Sequence, residues 1–213
     1  MGRLTLIDLD DVCVTNTNRQ LHALDGAVGR PKVAVMAERV GRINPGCQVR
    51  AWDEFFTPST AEEILAEGYD YVVDAIDQAH NKVLMIARCR ALGIPVVTVG
   101  AAGGKRDPGQ VRIADLTETT GDRLLRRVRK ELRQKHGFPR GTRRWKLPCV
   151  FSTEAARYPT ADGGVCDTPD PEVSLRLDCS SGFGTATFVT GTFGFMAASV
   201  VVSTLASSTE KAR

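Results

Sequence analysis

Short apolar segments alternate with longer amphipathic segments along the first hundred residues, and this alternation is the strongest constraint on the fold. The apolar segments have the length of strands, and the amphipathic ones repeat with the period of a helix. The predicted strands are residues 4–9, 48–55, 69–76 and 94–99, and the predicted helices are residues 31–43, 59–66 and 81–92. Strands that alternate with helices form an α/β fold with a doubly wound, mostly parallel sheet, which binds ligands at the carboxyl ends of its strands.

The second half of the chain is less regular and predicts an α+β extension. Its predicted elements are strands at 110–115 and 150–153, a basic helix at 122–136, and an apolar helix at 185–206 that follows the polar segment 161–175. A chain of 213 residues fits one domain. We therefore expect a single domain over 1–206, made of a Rossmann-like part (1–120) and the extension (121–206), followed by a flexible tail (207–213).

Polar residues at the predicted strand ends indicate a nucleotide site. They are Asp8 and Asp10 after the first strand, Thr15, Asn16 and Arg19 in the next loop, Lys32 in the first turn of a helix, and Asp77 after the third strand. A strand-end carboxylate such as Asp8 can accept both hydroxyls of a ribose. Lys32 opposes the dipole of its helix, and a bound phosphate would neutralise that cation. A solvated surface lysine and, for Asp77, a helix N-cap are the alternatives.

The cysteines and histidines do not have the spacing of a zinc site. None of the six cysteines forms a Cys-x-x-Cys pair, and His22, His80 and His136 are scattered. The N-terminus does not show the charged and apolar regions of a signal peptide. We therefore expect free thiols, no zinc and a cytoplasmic location.

One apolar stretch, residues 183–206, is close to the length that spans a bilayer. It is rich in threonine and glycine and lacks flanking aromatic belts. A buried helix rich in small residues is the favoured interpretation, and membrane association is the alternative.

Positive charge is concentrated between residues 121 and 146. Eleven Lys or Arg against two acids give this segment a net charge of +9, and because the whole chain carries +3, the remainder carries −6. Such local basicity predicts a polyanionic partner such as a nucleic acid, although many charged runs are only solvated surfaces. Trp145 in this segment is a candidate for stacking on a base, with ordinary packing as the alternative.

Several short motifs resemble the ubiquitin-activating-enzyme-like superfamily: 6–10 (LIDLD), Asn16 with Arg19-Gln20, 29–32 (GRPK) and 76–77 (ID). In that superfamily the strand-end acid binds ribose, an Asn and an Arg reach the phosphates, a Lys contacts the polyphosphate, and a later Asp serves Mg-ATP. The resemblance implies these roles, in that order, for Asp8, Asn16, Arg19, Lys32 and Asp77. It also implies that Asp10 and Thr15 contact the nucleotide and that Arg19, Lys32 and Asp77 act in catalysis, with ATP and Mg²⁺ as cofactors.

Residues 10–20, 151–154 and 178–184 further resemble the tRNA threonylcarbamoyladenosine dehydratase branch, which lacks the zinc motif of its sulfur-carrier-activating relatives. This resemblance implies a homodimeric enzyme that uses ATP to activate the carboxylate of threonylcarbamoyladenosine in tRNA and closes a ring with loss of water. One alternative is an adenylyltransferase for a sulfur-carrier protein, with Cys166 or Cys179 as acyl acceptor. The other is a non-catalytic remnant that binds a partner.

The superfamily places a first strand and a Gly-x-Gly-Gly-x-Gly turn ahead of these motifs, and residues 1–213 contain no such turn. The backbone N–H groups of that turn cradle phosphates. We therefore expect the sheet to lack a central strand, which leaves a strand edge and an apolar face uncovered. We also expect residues 1–213 to be unstable or to bind ATP weakly. A start codon assigned too far downstream and a true remnant both explain this pattern.

Overall fold

The computed structural model describes residues 1–168, 170 and 184–211, which form eight strands and five α-helices. The strands are β1 (Arg3–Ile7), β2 (Gln48–Trp52), β3 (Val72–Asp74), β4 (Val96–Val99), β5 (Val111–Asp115), β6 (Pro148–Ser152), β7 (Tyr158–Pro159) and β8 (Val165–Cys166). The helices are α1 (Lys32–Ile43), α2 (Ala61–Ala66), α3 (Ala79–Leu92), α4 (Arg123–Lys135) and α5 (Thr187–Lys211). Strands and helices alternate from β1 to β4, as predicted.

Local sequence signals explain where two of the helices begin and end. Pro31 precedes α1, where its missing N–H costs no helix hydrogen bond. The helix ends before Asn44, whose amide donates to the Val40 carbonyl at 2.8 Å. α3 ends at Gly93, which has a φ of +70°, a left-handed conformation that glycine adopts without strain.

The longer strands form two separate sheets rather than one. β1 and β2 pair in parallel, with Arg3 opposite Gln48. The second sheet has the order β3-β4-β6-β5, in which β5 alone is antiparallel to its neighbour. Among the described residues no strand pairs with β1 on its other side or joins it to β3.

Helices cover both faces of the four-stranded sheet, and this confirms the predicted doubly wound α/β fold. Successive strand residues point to opposite faces, so Val96 and Val97 of β4 belong to different core clusters. Ile86 of α3 and Leu125 of α4 pack in the cluster of Val96. Val189 of α5 packs in the cluster of Val97. Together the two clusters hold the sheet between α2, α3 and α4 on one side and α5 on the other.

Helix α5 extends past residue 206, where the sequence predicts its end, and runs to Lys211. Its segment Thr187–Ser208 is long and apolar enough to cross a membrane by length and composition, with 22% of the window buried. Val189 and Phe193 pack against the sheet, so one face of α5 is buried, as expected for a core helix. Phe188 and Phe195, away from that face, are exposed.

Several elements differ from their predictions. The second strand was expected over 48–55 and covers Gln48–Trp52. The third strand was expected over 69–76 and covers only Val72–Asp74, because among the described residues β4 is its single partner and no strand holds its other edge. The polar segment predicted from residue 161 contains one strand of a small antiparallel hairpin, in which Tyr158 pairs with Cys166. The predicted motif at 178–184 lies outside the described residues except for Gly184.

Candidate nucleotide-binding site

All seven residues predicted to contact a nucleotide line one cavity of about 1700 Å³, which we call the central cavity. Its walls are β1 and the loop that follows, the start of α1, β3 with the start of α3, and the second half of α5. Asp8 comes directly after β1, and Asp77 comes shortly after β3. The fold therefore brings the predicted residues together at the edge where α/β sheets bind their ligands.

Lys32 is held at the wall of the central cavity by an ion pair with Asp10, with 2.7 Å between Nζ and Oδ2. The lysine side chain is only 11% exposed, whereas that of Asp10 is 54% exposed. The Lys32 amide also donates to the Asp10 carbonyl at 3.0 Å, so the loop after β1 is tied to the start of α1. A polyphosphate would compete with the solvated Asp10 carboxylate for this lysine.

Asp8 is partly buried, and its Oδ1 accepts a hydrogen bond from the Asp10 amide at 2.9 Å. Burial raises the pKa of Asp8, while the hydrogen bond from Asp10 and the charge of Lys32 act in the opposite direction. A carboxylate has more acceptor sites than this one bond uses, so Asp8 keeps the capacity to accept ribose hydroxyls.

The loop after β1 is a compact turn that orients Arg19. Asn16 is 5% exposed, and its Oδ1 accepts from the Cys13 amide at 2.9 Å. Arg19 Nη1 donates to the carbonyl of Thr15 at 2.7 Å. Thr190 of α5 secures the same loop, because its hydroxyl donates to the Arg19 carbonyl at 3.1 Å. The Asn16 carbonyl oxygen is therefore engaged within the loop, and a phosphate contact by this residue would use its amide nitrogen.

Asp77 is exposed at the wall of the central cavity. The N-cap of α3 is Gln78, so the alternative role of Asp77 as that cap does not apply. Gln78 and Asn81 line the cavity beside it, and the Asn81 amide donates to Gln78 Oε1 at 3.1 Å. Sequence analysis missed these two amides, although their spacing of three residues at a helix start places both on one face.

Gln20 and His22 carry buried polar atoms that lack a partner among the described residues, namely Gln20 Oε1 and His22 Nε2. Gln20 lines the central cavity. Burial, together with the charge of Lys32, lowers the pKa of His22. Buried polar atoms are nearly always satisfied, so the unused acceptor of Gln20 fits a cavity that receives a ligand with hydrogen-bond donors.

The described residues contain no group of three or more His, Cys, Asp or Glu side chains that could hold a metal ion. Cys166, one of the two cysteines considered as acyl acceptors, lies in the β7–β8 hairpin, with its Sγ 2.7 Å from the Thr168 carbonyl oxygen. It does not line the central cavity. Cys179, the other candidate, lies outside the described residues.

Comparison with known proteins identifies the family of this chain. The family model described as "ThiF family" matches residues 1–212. The tRNA threonylcarbamoyladenosine dehydratase of Escherichia coli (strain K12) is 49% identical over 201 residues, which are 93% of this chain and 75% of that enzyme. A solved structure named TcdA (CsdL) superimposes with a TM-score of 0.88 at 44% identity, over 99% of this chain and 79% of the other. The E. coli enzyme in complex with ATP gives a TM-score of 0.84 at 42% identity, over 99% of this chain and 78% of the other. The chain therefore belongs to the ThiF family.

Proposed function

We propose that this chain is an ATP-dependent enzyme that dehydrates threonylcarbamoyladenosine in tRNA through an activated carboxylate. The observation that carries the proposal is the convergence of Asp8, Arg19, Lys32 and Asp77 on the central cavity. It is supported by relatives named for this activity and by a solved relative that binds ATP.

The proposed reaction turns a poor electrophile into a good one. A carboxylate resists attack because its leaving group would be an oxide ion. When a carboxylate oxygen attacks the α-phosphorus of ATP, pyrophosphate leaves and an acyl adenylate forms; attack at the γ-phosphorus releases ADP and gives an acyl phosphate. The neighbouring carbamoyl group then attacks the carbonyl carbon, gives up a proton to water, closes the ring and expels AMP or phosphate, so the oxygen of the lost water leaves on phosphorus. Because the attack is intramolecular, it gains from proximity.

The residues of the central cavity divide this work by charge. Asp8 would accept the ribose hydroxyls, with Asp10, Thr15 and Asn16 beside it. Arg19 and Lys32 would stabilise negative charge that develops on the phosphates. Asp77 would hold Mg²⁺ together with ATP oxygens, because proteins bind this ion through one or two carboxylates plus substrate phosphates. A site of that kind needs no cluster of three acids.

The proposal is tested with residues 1–213, tRNA that carries threonylcarbamoyladenosine, Mg²⁺ and millimolar ATP. The high ATP concentration keeps a weak nucleotide site occupied. We expect the nucleoside to lose the mass of one water only when ATP is present. Release of AMP or of ADP identifies the phosphorus attacked, and the family resemblance favours AMP.

Two variants assign the phosphate-binding cations. Lys32→Ala and Arg19→Ala should each lower kcat by about 100-fold or more, since each removes a cation aimed at developing charge. Arg30→Ala is the matched control, because Arg30 pairs with Glu38 and does not line the central cavity. ATP consumption that depends on a sulfur-carrier protein and not on modified tRNA would overturn the proposal.

We further propose that the enzyme is a cytoplasmic homodimer. Phe188 and Phe195 on α5 are 59% and 74% exposed, and exposed apolar patches mark protein–protein contacts. A second copy of the chain would cover them. Sedimentation should show a dimer that Phe195→Asp converts to a monomer, while Ser203→Asp at an exposed position of the same helix has no effect. A monomeric wild-type chain contradicts the dimer.

A further inference from the structure

A second, smaller cavity of about 380 Å³ lies on the outer surface of α4 and is lined almost entirely by cations. We call it the α4 notch, and its lining residues are Arg126, Arg129, Lys130, Arg133, Gln134 and Arg140. It shares no residue with the central cavity. Five positive charges that converge on one notch repel each other unless an anion lies between them.

The pattern of ion pairs on α4 separates the notch from the rest of the basic segment. Glu131 is the only acid within α4, and it pairs with Arg127 at 2.9 Å and with Lys135 at 3.1 Å. Both of these cations lie outside the notch. Within the described residues, none of the five cations of the notch has a carboxylate within ion-pair distance. Asp122 acts on Arg129 only beyond ion-pair distance, so most of the positive charge of the notch is uncompensated.

Helix packing fixes the direction in which the notch faces. Leu125, Val128 and Leu132 of α4 are fully buried in the main core. The cations at positions 126, 129, 130 and 133 are spaced at the helical repeat, so they form a stripe beside this buried face. From position 126 to position 133 the stripe is about 10 Å long at a rise of 1.5 Å per residue. A single small anion does not span that distance, whereas successive phosphates of a nucleic acid do.

Two of the arginines are held in place by the protein. Arg129 Nη1 donates to the Leu116 carbonyl at 3.3 Å and to the Thr119 hydroxyl. The Arg133 guanidinium lies 5.2 Å from the centre of the Trp145 ring, and its Nε is buried without an acceptor in the described part of the chain. Burial lowers the pKa of Arg129, and the charge of Arg133 lowers it further. A phosphate oxygen would offset the mutual repulsion of Arg129 and Arg133 and would accept hydrogen bonds from guanidinium groups that the protein already holds in place.

Trp145 supports the notch by packing. Its ring meets Phe138 edge to face at 4.7 Å, and its Nε1 donates to the Pro139 carbonyl at 3.1 Å. With Arg133 on the ring as well, Trp145 acts as part of the floor beneath this guanidinium. The packing alternative for Trp145 is therefore the one that the structure supports.

We propose that the α4 notch binds the sugar–phosphate backbone of RNA, with the exposed Arg126, Lys130 and Arg140 and the positioned Arg129 and Arg133 as phosphate contacts. The inference rests on the proposed function, because tRNA is the polyanion which that function supplies. Contacts to the backbone would position the tRNA without reading its sequence. The notch would thus hold the body of the substrate while its modified nucleoside enters the central cavity.

The test compares two triple variants of the full chain by fluorescence anisotropy with a labelled tRNA transcript. Arg126→Ala/Lys130→Ala/Arg140→Ala removes three charges from the notch. Arg123→Ala/Arg127→Ala/Lys135→Ala removes the same charge from exposed positions of the same helix outside it. Since each lost phosphate contact removes about 0.7–0.9 from the salt slope, the notch variant should lose roughly 100-fold in affinity at about 0.1 M salt. The control variant should stay within about threefold.

Several outcomes would contradict RNA binding at the α4 notch. An equal loss in both variants would show that only the overall charge of the segment matters, and an unchanged affinity in the notch variant would exclude the notch. Displacement of the tRNA by a few millimolar inorganic phosphate would show a small-anion site instead. All substituted side chains are exposed, and matching melting curves verify that the variants fold.

The same variants distinguish the notch from the proposed function. If the proposed function and RNA binding at the notch are both correct, the notch variant should have a higher KM for modified tRNA than wild type and the same kcat at saturating tRNA. If the wild type binds tRNA through the notch but forms no dehydrated nucleoside, the proposed function fails and the notch stands. If the wild type is active and the notch variant keeps its KM, the notch fails and the function stands.

Discussion

Lys82 is the bulkiest fully buried side chain in the described part of the chain. Its ammonium donates to Asp74 Oδ2 at 2.9 Å, to Thr98 Oγ1 at 3.2 Å and to the Asp74 carbonyl at 3.3 Å. All three of its donors are thereby used. The pair joins α3 to the ends of β3 and β4. Because Asp74 lies three residues before Asp77, the pair fixes the strand end from which the cavity wall continues.

Removal of the lysine alone should be strongly destabilising. Lys82→Met leaves the Asp74 carboxylate buried without a counter-charge, and we expect a loss of about 3–5 kcal/mol in the free energy of unfolding, measured by urea denaturation. Lys130→Met on the surface should change it by less than about 0.5 kcal/mol. The double variant Lys82→Met/Asp74→Leu should recover much of the loss because no charge is then stranded. A loss below about 1 kcal/mol in the single variant would show that water reaches the pair.

The Asp8 carboxylate should lower the stability of the folded state at neutral pH, although it is proposed to support nucleotide binding. Because burial raises its pKa, the folded state holds a proton on this carboxyl more tightly than the unfolded state does. Its stabilising contribution is therefore fully present below the unfolded pKa of 3.8 and is lost as the pH rises through the higher folded pKa. Asp8→Asn should be more stable than wild type at neutral pH, and the difference should shrink on acidification, while its ATP affinity falls.

Thermal unfolding across that pH range checks the prediction for Asp8. Asp25→Asn, an exposed position in the same loop, is the control. If Asp8→Asn is less stable than wild type at neutral pH, the hydrogen bond from the Asp10 amide to the Asp8 carboxylate outweighs the cost of burying that carboxylate.

At the scale of elements, Asp122 connects helix α4 to the loop after β4. Its Oδ1 accepts from the Leu125 amide at 2.9 Å and its Oδ2 accepts from the Ala101 amide at 2.8 Å. Asp122→Ala removes an N-cap and leaves a partly buried N–H unpaired, so we expect a loss of roughly 2–4 kcal/mol in urea denaturation. Asp107→Ala, which uncaps a short exposed turn, should cost less than about 1 kcal/mol. Equal losses would show that the bond to Ala101 contributes nothing.

The loop after β4 also requires a glycine at position 100. A Cβ at Gly100 would lie 2.5 Å from Asp122 Oδ2, so the close approach of the loop to the helix cap requires the absence of a side chain. Gly100 is thus explained by packing against Asp122.

The spacing of apolar residues, together with the Pro, Gly and Asn residues at element ends, was enough to predict most helices and strands. The helix over residues 31–43 has its stop signal in Asn44-Pro45-Gly46, and α1 ends at Ile43. β3 was overestimated because the length of an apolar segment does not show how many strands pair with it. The β7–β8 hairpin was missed because two residues per strand are too few to show alternation.

The candidate site was predictable in its residue types and not in its contacts. Acids at strand ends and cations at a helix start follow from the order of the chain, and their residues line one cavity. The pairing of Lys32 with Asp10 and the burial of Lys82 depend on how separate elements pack. A lysine in a helix of average polarity gives no sequence signal that it will be buried.

For the whole molecule, the main consequence of the fold is that its parallel strands are divided between two sheets. β4 pairs with β3 on one side and with β6 on the other. In the part of the chain that the structure describes, β1 pairs only with β2, and residues of both β1 and β3 line the central cavity. Backbone groups on those two edges have no strand partner in the described residues, so the two-stranded sheet adds less to cooperativity than the four-stranded sheet.

Hydrogen exchange on residues 1–213 tests this division. Amides of β4 and β6 should be the most protected and should report global unfolding, because these strands contribute side chains to both core clusters and their Val97 and Val150 are fully buried. Amides of β1 and β2 should exchange at least about tenfold faster, through opening of their sheet alone. Millimolar ATP should slow the exchange of β1 selectively, because Asp8 and Lys32, the residues proposed to contact the nucleotide, lie directly after β1 and in the helix that packs on this sheet. Equal protection of all four strands without ATP would show that the two sheets already unfold as one unit.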